Sequence, residues 1–183
     1  KKIKPRTVAI KRVFVFFGGS DPHNLTGMAL QALSKPELAS LEADIVIGEN
    51  NPHKVEICEL IKARENIHLH IQVDDISSIM AKADFAIGSG GVNTWERMCL
   101  GLFSMVITTA DNQIHTVENL SAHKYIKYLG DHKIVSQSCI GVHIQNYVSK
   151  MTGNDRNILP IDGLGTNKIA RHLRNGMKPI HEK

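Results

Sequence analysis

Short runs of β-branched and aromatic residues, each broken off and followed by a longer helical stretch, limit what this chain can fold into. They are Arg12 to Phe17 (RVFVFF), Asp44 to Gly48 (DIVIG), Ile67 to Gln72 (IHLHIQ), Asp84 to Gly88 (DFAIG) and Met105 to Thr108 (MVIT). Apolar runs of this kind suit parallel strands buried on both faces. A sixth strand region is expected at Tyr125 to Leu129 and Lys133 to Val135. Helices are expected at Thr26 to Ser34, Pro52 to Arg64 with proline in the first turn, and Asp75 to Lys82 capped by Asp74 or Asp75. Others follow at Asn93 to Leu100 ending at Gly101, Gln113 to His123, near Cys139 to Met151, and Gly165 to Arg174. Strands separated by helices imply βαβ crossovers, hence an α/β, Rossmann-like, doubly wound, mainly parallel sheet. One domain is expected over 12–175, with flexible ends at 1–11 and 176–183.

A chain of 183 residues with 42% hydrophobic and 22% charged residues can bury one core without disulfides. No apolar run approaches the roughly 20 residues of a membrane helix, and the N-terminus is basic without a signal core. A soluble, cytoplasmic protein with no membrane span is therefore expected. The start at Lys1, without methionine, suggests a piece of something longer. A net charge of +4 favours anionic ligands. The densest basic run, Lys1, Lys2, Lys4, Arg6, Lys11 and Arg12, lacks aromatics for base stacking, so no nucleic-acid partner is expected. Cys58, Cys99 and Cys139 form no CxxC pair and read as buried small hydrophobes in a reducing compartment. His68 and His70 share one face of a strand but have no third ligand nearby, so no metal is expected.

In a doubly wound sheet, ligands sit beyond the carboxyl ends of the strands. Two glycine-rich segments fall there: GGSDPHNLT, Gly18 to Thr26, and GSGGVNTWE, Gly88 to Glu96. Glycine lets backbone approach a ligand, and a following helix points free N–H groups at it, so both turns suit an anion such as a diphosphate. Each is equally compatible with a tight strand-to-helix turn. Neither ends in GK[ST], and neither carries GxGxxG with an acidic residue about 20 positions on, which argues against P-loop and NAD readings. Glu96 opens a helix, where a carboxylate gains from the dipole and can accept hydrogen bonds from a ribose diol. Asn112 and Gln113, beyond the fifth strand, can bond sugar hydroxyls or simply cap a helix.

The ordered set FFGGSDPHNLT, ADFAIGSGGVNTWERMCLGLFSMVI, DNQ and IDGLGTNKIARHL resembles the C-terminal half of the pseudaminic-acid-pathway hydrolases that act on UDP-2,4-diacetamido-2,4,6-trideoxy-altropyranose, together with their spore-coat-polysaccharide relatives. These are similar in turn to the UDP-N-acetylglucosamine transferase of peptidoglycan synthesis and its GT-B architecture of two facing Rossmann-like domains. The resemblance spans about Val13 to Leu173. It implies that Glu96 holds the uridine ribose, and that Ser20, Asn93 and Thr94, with the backbone of Gly18, Gly19, Gly90, Gly91 and Val92, hold the diphosphate. It further implies that the main chain near Val73 pairs with uracil and that Asn112 and Gln113 reach the sugar or its phosphate. Phe103, where proline is common, and Met105, where a smaller aliphatic is usual, are departures expected to bear on packing.

In that family the catalytic base is a histidine of the N-terminal domain, and no segment here matches it. His23, in the first turn, is a weak acid–base candidate beside a plain loop role. The implied function is the nucleotide-binding half of an enzyme that hydrolyses a UDP-linked diacetamido sugar, needing no cofactor and inactive without its N-terminal partner domain. The alternatives are a GT-B glycosyltransferase domain using a UDP-sugar donor, and a non-catalytic sugar-nucleotide-binding or interaction module.

Overall fold

The computed structural model describes residues 10–62, 64–150 and 161–176. Six strands form one sheet: β1 (Arg12–Phe16), β2 (Glu42–Ile47), β3 (Ile67–Ile71), β4 (Phe85–Ser89), β5 (Ser104–Thr108) and β6 (Lys127–Asp131). Among the described residues α1 (Leu25–Leu33), α2 (Lys54–Ile61), α3 (Ile76–Met80), α4 (Asn93–Cys99) and α5 (Asp111–Ala122) lie between successive strands, and α6 (Gln137–Lys150) and α7 (Gly165–Gly176) follow β6. The spatial order is β3-β2-β1-β4-β5-β6 with every pairing parallel. The chain winds outward from β1 in one direction, then returns to β4 and winds in the other. The expected doubly wound α/β sheet is the observed one, and its reversal of direction lies between β1 and β4.

Both faces of the central strands β2, β1, β4 and β5 are covered, which is why they read as nearly unbroken apolar runs, whereas the edge strands β3 (IHLHI) and β6 (KYLGD) are partly exposed and do not. Val13, Val15, Ile45, Ile87 and Ile107 pack against α1 and α6 through Leu25, Ala29, Leu33, Ile140 and Ile144. On the opposite face Phe14, Val46 and Ala86 meet Met80 of α3, and Val106 meets Met98, Val117 and Leu120 of α4 and α5.

Local chemistry moves several boundaries. Asn51 accepts from the His53 amide through its side chain (2.8 Å) and from the Lys54 amide through its carbonyl (3.2 Å). That turn delays α2 to Lys54 and leaves Pro52 ahead of the helix rather than in its first turn. Lys133 to Val135 is not strand: the Asp131 carboxylate accepts from the Lys133 amide (3.0 Å) and its carbonyl from Ile134 and Val135, closing a tight turn after β6. Asp75, not Asp74, caps α3, accepting from the Ser78 amide at 3.1 Å. A 3-10 turn at Pro36–Leu38 was not foreseen. The three cysteines are free and half-buried rather than buried.

The expected flexible ends fall mostly on residues 1–9 and 177–183, which lie outside the described residues, as does Met151 at the end of the sixth expected helix. Among the described residues no helix is long and apolar enough to cross a membrane.

Candidate functional site

Register brings the two glycine-rich turns together. β1 and β4 are neighbours with Phe16 opposite Gly88, so the segments that follow leave the same edge of the sheet side by side. The first turn opens with Gly18 at φ 103° and exposes Gly19 and Ser20. The Gly19 carbonyl accepts from the Gly48 amide (2.9 Å), tying this turn to the end of β2.

Asp21 corrects the expectation that α1 offers its free N–H groups to a ligand. Its carboxylate is buried and accepts from the Leu25 and Thr26 amides at 3.1 and 2.7 Å. Asn24 Oδ1 accepts from Gly27 N at 3.1 Å, and Asn24 O from Met28 N at 3.1 Å. The protein's own side chains have satisfied this helix end, so the turn exposes Gly19, Ser20, Pro22 and His23 rather than free helix amides.

The second turn differs. No side chain caps α4, which begins at Asn93 directly after Gly90, Gly91 and Val92. Gly90 is pressed against α5: a Cβ there would fall 2.6 Å from Val117 Cγ2 and 3.1 Å from Gln113 Oε1. Only glycine permits that approach, and it sets Gln113 beside the turn. Gln113 is in turn held in place, its Oε1 accepting from the Thr109 amide (3.0 Å) and its Nε2 donating to Thr109 Oγ1 (3.1 Å). Glu96 is exposed, and Asn93 Nδ2 donates to its Oε2. Thr94 faces inward: its hydroxyl is buried and donates to Ser89 O (3.1 Å), and its amide to Gly91 O (3.0 Å).

No protein-family model matches the chain. The spore coat polysaccharide biosynthesis protein SpsG of Bacillus subtilis (strain 168) is 27% identical over 112 residues, 61% of this chain and 33% of that protein. The rhamnosyltransferase SpnG complexed with thymidine diphosphate superposes with a TM-score of 0.68 at 20% identity, over 92% of this chain and 46% of that one. The UDP-GlcNAc 2-epimerase of Neisseria meningitidis bound to UDP-GlcNAc gives 0.64 at 16% identity, over 91% and 45%. MurG of Acinetobacter baumannii gives 0.62 at 12% identity, over 92% and 50%. The chain has the fold of a GT-B C-terminal domain. It spans a third of SpsG and half or less of the solved chains.

In this GT-B-like domain the remaining expected residues are more dispersed. Val73 lies in the turn between β3 and α3, its side chain packed on the cluster of Phe14, Val46 and Met80. β2 and β1 separate it from β4, so a ligand touching both Val73 and Glu96 must lie across the edge of the sheet. Asn112 is exposed in the first turn of α5. His23 stacks on His132, which follows β6, with ring centroids 3.9 Å apart at 24°. His70 Nε2 meets Asp44 Oδ1 at 2.8 Å.

Two residues of the site region went unnoticed in the sequence. One is Asp21, whose position ahead of Asn24 and Leu25 is a helix-cap signal. The other is Arg97, which is 0% exposed behind the second turn, where burial pulls its pKa down to about 10. Its spacing of three from Thr94 and four from Asn93 places it on the same helical face, a signal available but unused.

Proposed function

We propose that the chain is the nucleotide-sugar-binding half of a GT-B enzyme of polysaccharide biosynthesis that transfers a glycosyl group from a UDP-sugar donor. The observation that carries this reading is the pair of glycine turns leaving adjacent strand ends at the reversal between β1 and β4, the second of them uncapped and followed by exposed Glu96. An uncapped helix start with glycine backbone before it presents N–H groups to a diphosphate. The donors would be the backbone of Gly18, Gly19, Gly90, Gly91, Val92 and Asn93, with the Ser20 hydroxyl opposite; Thr94 would act from behind by holding the turn. Glu96, oriented by Asn93, would accept from the ribose hydroxyls. The Val73 main chain would pair with uracil, and Asn112 and Gln113 would meet the sugar or its phosphate.

Transfer needs a base that takes the proton of the attacking hydroxyl. That group would come from a facing N-terminal domain, so the chain alone binds and does not turn over. Hydrolysis of a UDP-linked diacetamido sugar differs only in that water is the attacking group. Transfer is supported by glycosyltransferases among the solved neighbours, WaaG and the rhamnosyltransferase SpnG, beside a UDP-GlcNAc 2-epimerase.

Calorimetry tests the binding half of the reading. UDP should bind, and Glu96→Ala should weaken it about tenfold or more through loss of charge-assisted hydrogen bonds. No heat with UDP, or a Glu96→Ala chain indistinguishable from the parent, would remove the proposal. With a facing domain supplied, detection of a glycoside rather than free sugar separates transfer from hydrolysis.

A further inference from the structure

Arg97 is fully buried, yet its hydrogen bonds leave most of its guanidinium unmet. Nη2 alone donates, to Ser89 O (2.8 Å) and Thr94 Oγ1 (3.0 Å), while Nε and Nη1 have no hydrogen-bond partner among the described residues. The carboxylate it senses is that of Glu96, next to it in the chain, exposed and bonded by Asn93. Carbonyl and hydroxyl dipoles do not neutralise a unit charge, and a guanidinium without a counter-anion in a dry interior costs stability. The cost falls at a telling place. A Cβ added to Gly88 would overlap the Phe16 carbonyl and lie 2.5 Å from Arg97 Nη1, so the guanidinium sits where β1 and β4 end side by side. Ser89, whose carbonyl it holds, leads directly into Gly90 and Gly91. The guanidinium is thus bonded to the residue that leads into the uncapped turn and is fully buried, where salt screens a charge little.

We propose that Arg97 is the buried counter-charge of a phosphoanion seated on the turn from Gly90 to Asn93, so that this turn selects ligands by their phosphate charge. The inference deepens the nucleotide-sugar reading and rests on it for the identity of the anion. Arg97 does not touch the ligand; it is a positioning residue that holds the Ser89 carbonyl inward and supplies a fixed positive charge beneath the turn. A diphosphate on the turn would give the guanidinium an opposite charge in addition to that of exposed Glu96.

The test compares uridine, UMP, UDP and inorganic pyrophosphate by calorimetry on the parent chain, Arg97→Met and Arg97→Gln, with urea unfolding in the absence of ligand. Glutamine keeps amide donors for Ser89 and Thr94 without the charge, and stands in if Arg97→Met does not fold. The expected result is a loss that grows with phosphate content: uridine within about twofold of the parent, UDP and pyrophosphate weakened about tenfold or more. Unliganded stability should hold or rise, because an uncompensated buried charge has gone. Equal losses for uridine and UDP mark a structural arginine and overturn the inference. If UDP binds the parent and both variants equally, the nucleotide reading stands and the inference fails. If pyrophosphate binds in an Arg97-dependent way while uridine does not bind, the inference stands and the uridine-nucleotide reading falls. A parent chain that binds none of these probes overturns both.

Discussion

Asp21 and Gly88 do opposite things to the two turns. Asp21 closes the first helix start with two backbone hydrogen bonds, which spends its charge on the fold rather than on a ligand. Asp21→Ala should therefore lower stability by about 1–2 kcal/mol, a typical cap loss, read as a lower urea midpoint. The same variant should leave UDP affinity unchanged within about twofold if the second turn is the anion seat. Gly88 is needed for space rather than conformation, since an added Cβ would run into the backbone carbonyl of Phe16, which cannot rotate away, as well as Arg97. Gly88→Ala should cost about 1–3 kcal/mol as overpacking and also weaken UDP by displacing the guanidinium. Unfolding and calorimetry on the one variant check both.

At the scale of elements, the packing departures turn out to be contacts. Phe103, just before β5, lies face to face with Tyr147 of α6, with centroids 4.9 Å apart at 8°, and Tyr147 also meets Phe85 at 5.1 Å. Phe103 thus forms part of an aromatic clamp that fastens α6 to the sheet. Phe103→Ala should cost about 1–3 kcal/mol, and hydrogen exchange should show the loss as reduced protection in α6 before the central strands. α7 was expected at Gly165 to Arg174 and is found at Gly165–Gly176, with Ile169 and Leu173 more than half exposed. Apart from Lys133 to Val135 and the 3-10 turn at Pro36–Leu38, element type was readable because period and propensity are local. The ends that moved, at Lys54 and after Asp131, are where one side chain or carbonyl captures a backbone amide, a choice that periodicity does not register.

Across the whole molecule, one polar network crosses the strands away from the site. Asp44 on β2 is nearly buried and accepts from Arg12 Nη1 on β1 and from His70 Nε2 on β3, both at 2.8 Å. Burial alone would raise the carboxyl pKa, but the bonds from Arg12 and His70 outweigh it and hold it below its ordinary value of 3.8. A depressed folded pKa means the unfolded chain takes up the proton first. The contribution is complete above 3.8 and drains away as pH falls through the lower folded value. Asp44→Asn should flatten the acid side of a plot of urea midpoint against pH while lowering stability at neutral pH by about 1–3 kcal/mol. An equally steep acid limb in the variant would place the acid sensitivity elsewhere.

The same contrast of local and distant causes separates what was legible from what was not. Short apolar runs with helical segments between them were enough to specify a doubly wound parallel sheet, since the central runs are too apolar to face water on either side. They also placed the two glycine turns and Glu96 at the carboxyl ends of neighbouring strands. They did not show that Asp21 fills the first helix start, that Gly90 presses on Gln113, or that Arg97 is buried with Nε and Nη1 unbonded among the described residues. Those outcomes depend on side chains from separate strands and helices meeting in space. Whether an amide is capped or a charge is left unanswered is decided by what converges on it, which only the folded arrangement determines.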